Sequence, residues 1–256
     1  MTERVLVIAC GALAHELVRV RAASGWTHLD IQCLPAELHN TPERIAPAVR
    51  DKIRENRGRY RRMFAAYADC GSGGQLDKML AEEGVERLPG AHCYELFAGG
   101  AKFAGLHDAE PGTFYLTDFL ARHFDRLIIR GLGLDRFPQL AQDYFGNYRK
   151  LVYLAQLDDP AVDAAAQRAA DYLGLEYERV FTGDRHLQAA LASAAGTVDS
   201  AVGTVDATAG TVDATAGTVD AAGTVDATAG TVDATGTVDS TAGESRAADT
   251  AAIASH

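Results

Sequence analysis

Four cysteines in the N-terminal part of the chain are the residues best suited to chemistry. Cys10 follows the apolar run VLVIA, Cys70 closely follows MFAAYA, and Cys93 comes just after VERL, whereas Cys33 lies inside an alternating stretch. A thiolate is both a soft metal ligand and a nucleophile. The chain has no CxxC pair, and a single cysteine at a strand end is more often a buried small residue. A shared thiolate site therefore requires a fold that brings the cysteines together.

The elements around these cysteines predict such a fold. Short apolar runs alternate with segments of helical spacing, and this order is typical of parallel strands joined by right-handed helical crossovers. The predicted strands are 5–9, 27–34, 63–68 and 85–88, and the predicted helices between them are 12–23, 41–57 and 75–83. The carboxyl ends of parallel strands lie along one edge of the sheet, where ligands bind. The cysteines that end these strands are expected to meet there.

Cys10, Cys70 and Cys93 are the predicted metal ligands. Three thiolates with one histidine, carboxylate or water form a tetrahedral zinc site, and an open position on the metal can activate a bound thiol or polarise a substrate. The same thiolates would also hold iron or an iron–sulfur cluster. Cys33 is the cysteine expected to serve packing, because its neighbours carry no turn or ligand signal.

His39, His92 and Glu95 are the predicted catalytic residues. Each is close in sequence to a predicted strand end, and each side chain can carry a proton or complete a metal site. The alternative for His39, in LPAELHN, is that it only caps a turn.

A glycine-rich loop follows Cys70 and supports a different kind of site. Its residues Gly71, Ser72, Gly73 and Gly74 stand between a strand and a helix, where backbone N–H groups can form a nest for an anion. The alternative function is therefore a small-molecule or nucleotide-binding enzyme in which Cys70 is a nucleophile or a bystander. The loop lacks the GxxxxGK[ST] pattern of a P-loop.

Two cofactor motifs match only in part. The sequence ADCGSGG resembles the first motif of class I S-adenosylmethionine methyltransferases, but two strand–helix units precede it here and no ribose-binding acid follows the next strand. The corrinoid-binding signature DxHxxG is also incomplete, because Ala189 stands in the glycine position after Asp184-Arg185-His186.

The sequence between residues 107 and 180 predicts further strands and helices. HDAEPGTFYLTDFL contains a polar turn and then a β-prone run, with Thr117 or Asp118 as the cap of a following helix. Tyr144, Tyr148 and Leu151 suggest one face of a helix in YFGNYRKLVYLAQ. A helix over 163–173 and a strand over 175–180 complete the pattern.

The C-terminal quarter of the 256 residues has a different composition. GTVD occurs seven times from Gly196 onward, at a period of six or seven residues that is too short for a solenoid and too poor in large apolar residues for a coiled coil. Residues 194–256 are therefore predicted to be a disordered acidic tail. Residues 1–193 are predicted to form a single α/β domain with a mainly parallel sheet flanked by helices.

Charge and hydropathy exclude some classes of protein. The net charge is −11, of which −8 belongs to the tail. Residues 1–193 therefore have a net charge of −3 and no basic excess that favours nucleic acid. No apolar run approaches the length of a membrane span, and VLVIA is shorter than the apolar region of a signal peptide. We expect a cytoplasmic protein, in which cysteines serve metal binding or catalysis before disulfides.

Six motifs together resemble one family. They are CGALAHEL, LPAELHN, YADCGSGGQLD, HCYELFAG, EPGTFYLTDFL and FGNYRKLVYLAQ, in that order. This series is similar to domain-of-unknown-function family 1638 of bacteria and archaea over about residues 4–187. In distant members the third motif resembles GxCG and the fourth DC, so Cys70 and Cys93 match the family pattern, whereas His92 stands where others have Asp.

The resemblance implies an association with corrinoid-dependent methyltransferase systems. Combined with the thiols, it leads us to expect a zinc site that serves corrinoid or one-carbon methyl transfer on a small-molecule substrate. The protein would be either an enzyme of that metabolism or an accessory to one. A non-catalytic partner of a corrinoid protein is the remaining alternative.

Overall fold

The N-terminal half of the chain alternates strands and helices. The computed structural model describes residues 4–196 and 230–231. The elements of this half are β1 (Val5–Cys10), α1 (Ala14–Ala23), β2 (Leu29–Leu34), α2 (Ile45–Asn56), β3 (Arg62–Ala66), α3 (Gln75–Glu83), β4 (Glu86–Arg87), α4 (Tyr94–Ala98) and α5 (Gly100–Ala109). Short 3-10 turns precede α1 and α2. The predicted helix over 41–57 therefore begins as a 3-10 turn, and Thr41 makes no side-chain capping hydrogen bond.

These strands form the first sheet, in the order β4-β3-β1-β2, and all four are parallel. The central strand β1 is buried along nearly its whole length, because helices cover both faces of the sheet. Its apolar side chains divide between two clusters, one with α1 and one with α2 and α3. The sheet therefore presents the end of β1 between the ends of its neighbours.

The second half forms a separate parallel sheet. Its elements are β5 (Thr113–Thr117), α6 (Asp118–Arg122), α7 (Leu140–Phe145), β6 (Lys150–Ala155), α8 (Pro160–Leu173), β7 (Glu176–Phe181) and α9 (Arg185–Ala195). The strand order is β5-β6-β7, and a π-helical segment, Asp125–Arg130, follows α6. The predicted helix after β5 is confirmed, with Thr117 as its cap, since the Thr117 side chain accepts a hydrogen bond from the Leu120 N–H at 3.4 Å.

The predicted helix over YFGNYRKLVYLAQ is wrong. The helical part ends at Phe145, and Lys150–Ala155 is the central strand of the second sheet. Leu151 and Tyr153 are fully buried, and the strand is covered on both faces, so its sequence is continuously apolar. Such a short apolar run has no alternation that would distinguish a strand from a buried helix.

The α/β class is confirmed, with parallel sheets flanked by helices, although two sheets replace the single sheet that we predicted. The last helix, α9, returns from the second sheet to pack on the first, where Leu187, Leu191 and Ala194 join the cluster around β1. It ends at Ala195, two residues beyond the predicted domain boundary. The two halves are thus joined by buried apolar contacts.

The predicted disordered tail lies almost wholly outside the described residues. Within it, Gly230–Thr231 forms a two-residue strand, β8, antiparallel to β2 at the pairs Gln32 with Thr231 and Cys33 with Gly230. Across the part of the chain that the structure describes, no helix combines the length and apolar character needed to cross a membrane.

Candidate functional site

A small cavity lies where the carboxyl ends of the two sheets meet. Its walls are formed by the ends of β1, β3 and β5, the start of α4 and the 3-10 turn after β2. The lining side chains that can take part in chemistry are Cys10, His39, Tyr67, Cys70, Cys93, Tyr94 and Thr117. The cavity volume is about 20 Å³, which is enough for an ion or about one water molecule. Three of the four cysteines are therefore brought to one place from three separate strand ends.

Cys70 has a backbone conformation that is rare for its residue type. Its φ is 50°, and among the described residues it is the one residue other than glycine with a positive φ. Such strain persists where the surroundings hold it, often at functional sites. Here the holding contacts are two backbone hydrogen bonds, from Cys70 N–H to the Ala91 carbonyl at 2.8 Å and from Asp69 N–H to the Gly90 carbonyl at 3.3 Å. They fix the loop after β3 beside the segment that carries Cys93.

The thiols of Cys70 and Cys93 contact each other directly. The Cys93 thiol donates a hydrogen bond to the Cys70 sulfur, and this bond lowers the pKa of Cys70. The same bond, together with burial, raises the pKa of Cys93 well above its ordinary value. The Cys93 backbone N–H also donates to the Cys70 sulfur. The two thiols therefore interact directly inside the cavity.

Cys10 occupies a different environment in the same cavity. Burial raises the pKa of its thiol to about 12, although a hydrogen bond from the Ala12 N–H opposes this effect. The Tyr67 hydroxyl is directed at the Cys10 sulfur. It is buried and meets no nitrogen or oxygen partner among the described residues. The cavity therefore contains a phenol group that is available to a bound molecule.

The three predicted catalytic residues have different positions. His39 lines the cavity. Its pKa is lowered mainly by burial and secondly by the nearby His92, so the imidazole is neutral at pH 7. The His92 ring packs against Tyr94 and Phe103, with centroids 6.3 Å from each, outside the lining. The Glu95 carboxylate accepts hydrogen bonds from the N–H groups of Ala91, at 2.8 Å, and His92, at 3.3 Å. Glu95 thus holds the turn before α4.

The glycine loop is closed by a side chain of the protein itself. The Asp69 carboxylate accepts hydrogen bonds from the Ser72 hydroxyl at 2.6 Å and from the N–H groups of Gly74 and Gly73 at 3.0 and 3.2 Å. Gly71, Ser72, Gly73 and Gly74 are not among the cavity-lining residues. An external anion would have to displace the Asp69 carboxylate, and this favours the cysteine cavity over the loop as the ligand site.

Cys33 is separate in position from the three thiols of the cavity. It is half-buried within β2, where it packs against the apolar cluster around β1, and it does not line the cavity. Burial raises its pKa to about 12. Its position agrees with the packing role expected from its neighbours.

Tyr67, Tyr94 and Thr117 were missed by the sequence reasoning. Thr117 was considered only as a helix cap, yet it also reaches the cavity at the end of β5. Their positions in the sequence could have indicated a place at the site, since each lies within three residues of a predicted cysteine ligand or at a predicted strand end. Aromatic residues at such positions are usually core residues, and Tyr67 is indeed buried.

The donor set of the cavity suits a soft metal ion. Three sulfurs and a neutral imidazole are the ligand types found at zinc sites. The Tyr67 hydroxyl, which has no nitrogen or oxygen partner among the described residues, offers a further polar contact. Within residues 4–196, no three His, Cys, Asp or Glu side chains are already gathered at metal-binding separation. Binding an ion would therefore require the thiols to turn toward one centre by rotation about their χ1 angles.

The fold and the cavity together define an α/β protein with two parallel sheets and a thiol-lined site at their carboxyl ends. The family model described as a protein of unknown function, DUF1638, matches residues 33–191, more than half of the chain. The chain therefore belongs to this family. No curated protein and no solved structure matches it.

Proposed function

We propose that Cys10, Cys70 and Cys93 bind a soft metal ion, with zinc as the best fit, in the cavity at the sheet ends. Zinc held by thiolates activates a bound thiol or water as a nucleophile. The proposed role is in one-carbon methyl transfer on a small substrate, in partnership with a corrinoid protein or methyltransferase. The association of the resembled family with corrinoid-dependent methyltransferase systems supports this setting.

The observation that carries the proposal is the convergence of three cysteines from separate strand ends on one small cavity. A cysteine that serves only packing can lie anywhere in an apolar cluster and needs no such convergence. The volume of about 20 Å³ suits an ion, whereas a nucleotide would need a much larger opening. The occupied glycine loop also argues against a nucleotide.

The chain's own groups have distinct parts in this proposal. His39 is neutral, so it can complete the metal site or accept a proton from a substrate thiol. The Tyr67 hydroxyl can donate a hydrogen bond to a sulfur or to a substrate atom in the cavity. The largely apolar lining, with Leu13, Phe97 and Leu120, lowers the polarity around the sulfurs.

Metal analysis of the full chain tests the proposal. The protein is purified without oxygen, and zinc, iron and acid-labile sulfide are measured. We expect roughly one zinc per chain, reduced at least tenfold by Cys→Ser changes at positions 10, 70 and 93, because each removes a thiolate ligand. Cys33→Ser is the matched control and should keep the metal.

The outcomes separate the alternatives. Wild-type protein that is folded and binds neither zinc nor iron after reconstitution would contradict the metal site. Zinc that is bound but supports no methyl transfer to a thiol, in a protein that still copurifies with a corrinoid protein, would assign an accessory role. Nucleotide-dependent thermal stabilisation that chelators do not affect would instead favour the glycine loop.

A further inference from the structure

The Cys70 and Cys93 thiols both line the cavity and are hydrogen-bond partners. Their side chains are joined by a thiol–sulfur hydrogen bond, and the Cys93 N–H donates to the same Cys70 sulfur. Cys10 differs, since its sulfur accepts from the Ala12 N–H and faces the Tyr67 hydroxyl. Cys33 does not line the cavity.

The backbone holds this pair together. The hydrogen bonds from Cys70 to Ala91, at 2.8 Å, and from Asp69 to Gly90, at 3.3 Å, join the two loops next to the sulfurs. On the other side, the Asp69 carboxylate ties the turn through Ser72 and Gly74. Two hydrogen-bonded thiols that line one cavity, on segments tied to each other by the backbone, are placed to form a disulfide, whose S–S distance is about 2.05 Å.

We propose that Cys70 and Cys93 form a reversible disulfide, which makes the cavity a redox-sensitive site. The inference shares its thiols with the proposed metal site and does not require the metal. If both hold, the disulfide removes two of the three ligands, so oxidation releases the ion and reduction restores the site.

The oxidant class is a small disulfide such as oxidised glutathione. One of the two cysteine sulfurs, after loss of its proton, attacks a sulfur of the oxidant, which breaks the oxidant's S–S bond and releases one thiol. The second cysteine sulfur then loses its proton and attacks the mixed disulfide, which forms the Cys70–Cys93 bond and releases the second thiol. Two electrons and two protons leave the protein and reduce one small disulfide to two thiols.

Peptide mapping of the full chain tests the inference. Metal-free protein is incubated with oxidised glutathione, the remaining thiols are alkylated, and the protein is digested with trypsin without reductant. We expect the four thiols to fall to two and the tryptic peptides 63–78 and 88–102 to be joined. Dithiothreitol should separate these peptides and restore all four thiols.

The variants and outcomes are chosen to separate this inference from the metal site. Cys70→Ser and Cys93→Ser should abolish the joined peptides, and Cys33→Ser should keep them. Four unreacted thiols, glutathione adducts alone, or a bond to Cys10 or Cys33 in the wild-type protein would each overturn the inference, whether or not the variants fold. Zinc added before the oxidant should slow the reaction at least tenfold. An unchanged rate would count against the metal site and leave the disulfide standing.

Discussion

Two buried tyrosines show how differently the same residue type is used. The Tyr153 hydroxyl donates a hydrogen bond to the Asp118 carboxylate at 2.7 Å. The Tyr67 hydroxyl lies on the cavity wall near Cys10, with no nitrogen or oxygen partner among the residues described. A buried polar group without a full partner reduces stability and is retained where it serves a ligand.

Removal of the two hydroxyl groups should therefore have unequal effects. Tyr67→Phe should change the free energy of unfolding by less than about 0.5 kcal/mol, because little hydrogen bonding is lost. Tyr153→Phe, the control, should lose about 1.5–3 kcal/mol, since it takes a hydrogen bond from a buried carboxylate. Urea denaturation measures both. A loss for Tyr67→Phe as large as that of the control would show that the hydroxyl is already engaged in the fold.

Among the elements, the loop from Asp69 to Gly74 carries the cavity-lining Cys70 in its strained conformation. Burial alone would raise the pKa of Asp69, but hydrogen bonds from Ser72, Gly74 and Gly73 hold it below its ordinary value. The carboxylate thus supports a turn that starts at the strained Cys70 and ends at Gly74, the residue before α3.

Asp69→Asn tests this support. The amide keeps one acceptor oxygen where the carboxylate uses two, so we expect a loss of about 1–2 kcal/mol in the free energy of unfolding at pH 7. The difference from wild type should shrink as the pH falls from the ordinary pKa of 3.8 through the lowered pKa of Asp69, because the unfolded carboxyl is protonated in this range before the folded one. Asp51→Asn, at an exposed position of α2, is the control and should have little effect. Equal stability of the two variants would contradict the role of Asp69.

At the scale of the whole molecule, charged groups collect where the two halves meet. Glu16 of α1 is buried, and one of its carboxylate oxygens has no partner among the described residues. Arg19, Asp118 and Asp184 surround it, and Arg19 forms hydrogen bonds of 2.6 and 2.7 Å with Asp184. Burial raises the pKa of Glu16 from 4.5 to about 7.

This raised pKa predicts a pH dependence of stability. Between pH 4.5 and about 7 the folded chain holds a proton on Glu16 that the unfolded chain has lost, so Glu16 reduces stability increasingly as the pH rises through this range. Glu16→Gln should match wild type near pH 4.5 and be more stable by up to about 3 kcal/mol at pH 8. Denaturant unfolding at both pH values measures the difference. A variant that is equally stable, or less stable, at pH 8 would refute the prediction.

The sequence by itself determined the α/β class and the alternation of strands and helices along the chain as far as β4. Segments such as Val5–Cys10 and Gln75–Glu83 carry local signals, which are a continuous apolar run in the first and helical spacing in the second. The rule that parallel strands share a carboxyl edge placed Cys10, Cys70 and Cys93 together. That these thiols bind a metal stays a prediction.

Only the tertiary structure decided what each polar group does at the site. Lys150–Ala155 became a strand because two neighbouring strands were available to pair with it, and local periodicity contains no such information. Asp69 fills the glycine loop and Glu95 holds a turn, because hydrogen bonds depend on distances between side chain and backbone that no spacing in the sequence specifies. The contact between Cys70 and Cys93 likewise depends on two loops, from separate strand ends, being joined by backbone hydrogen bonds.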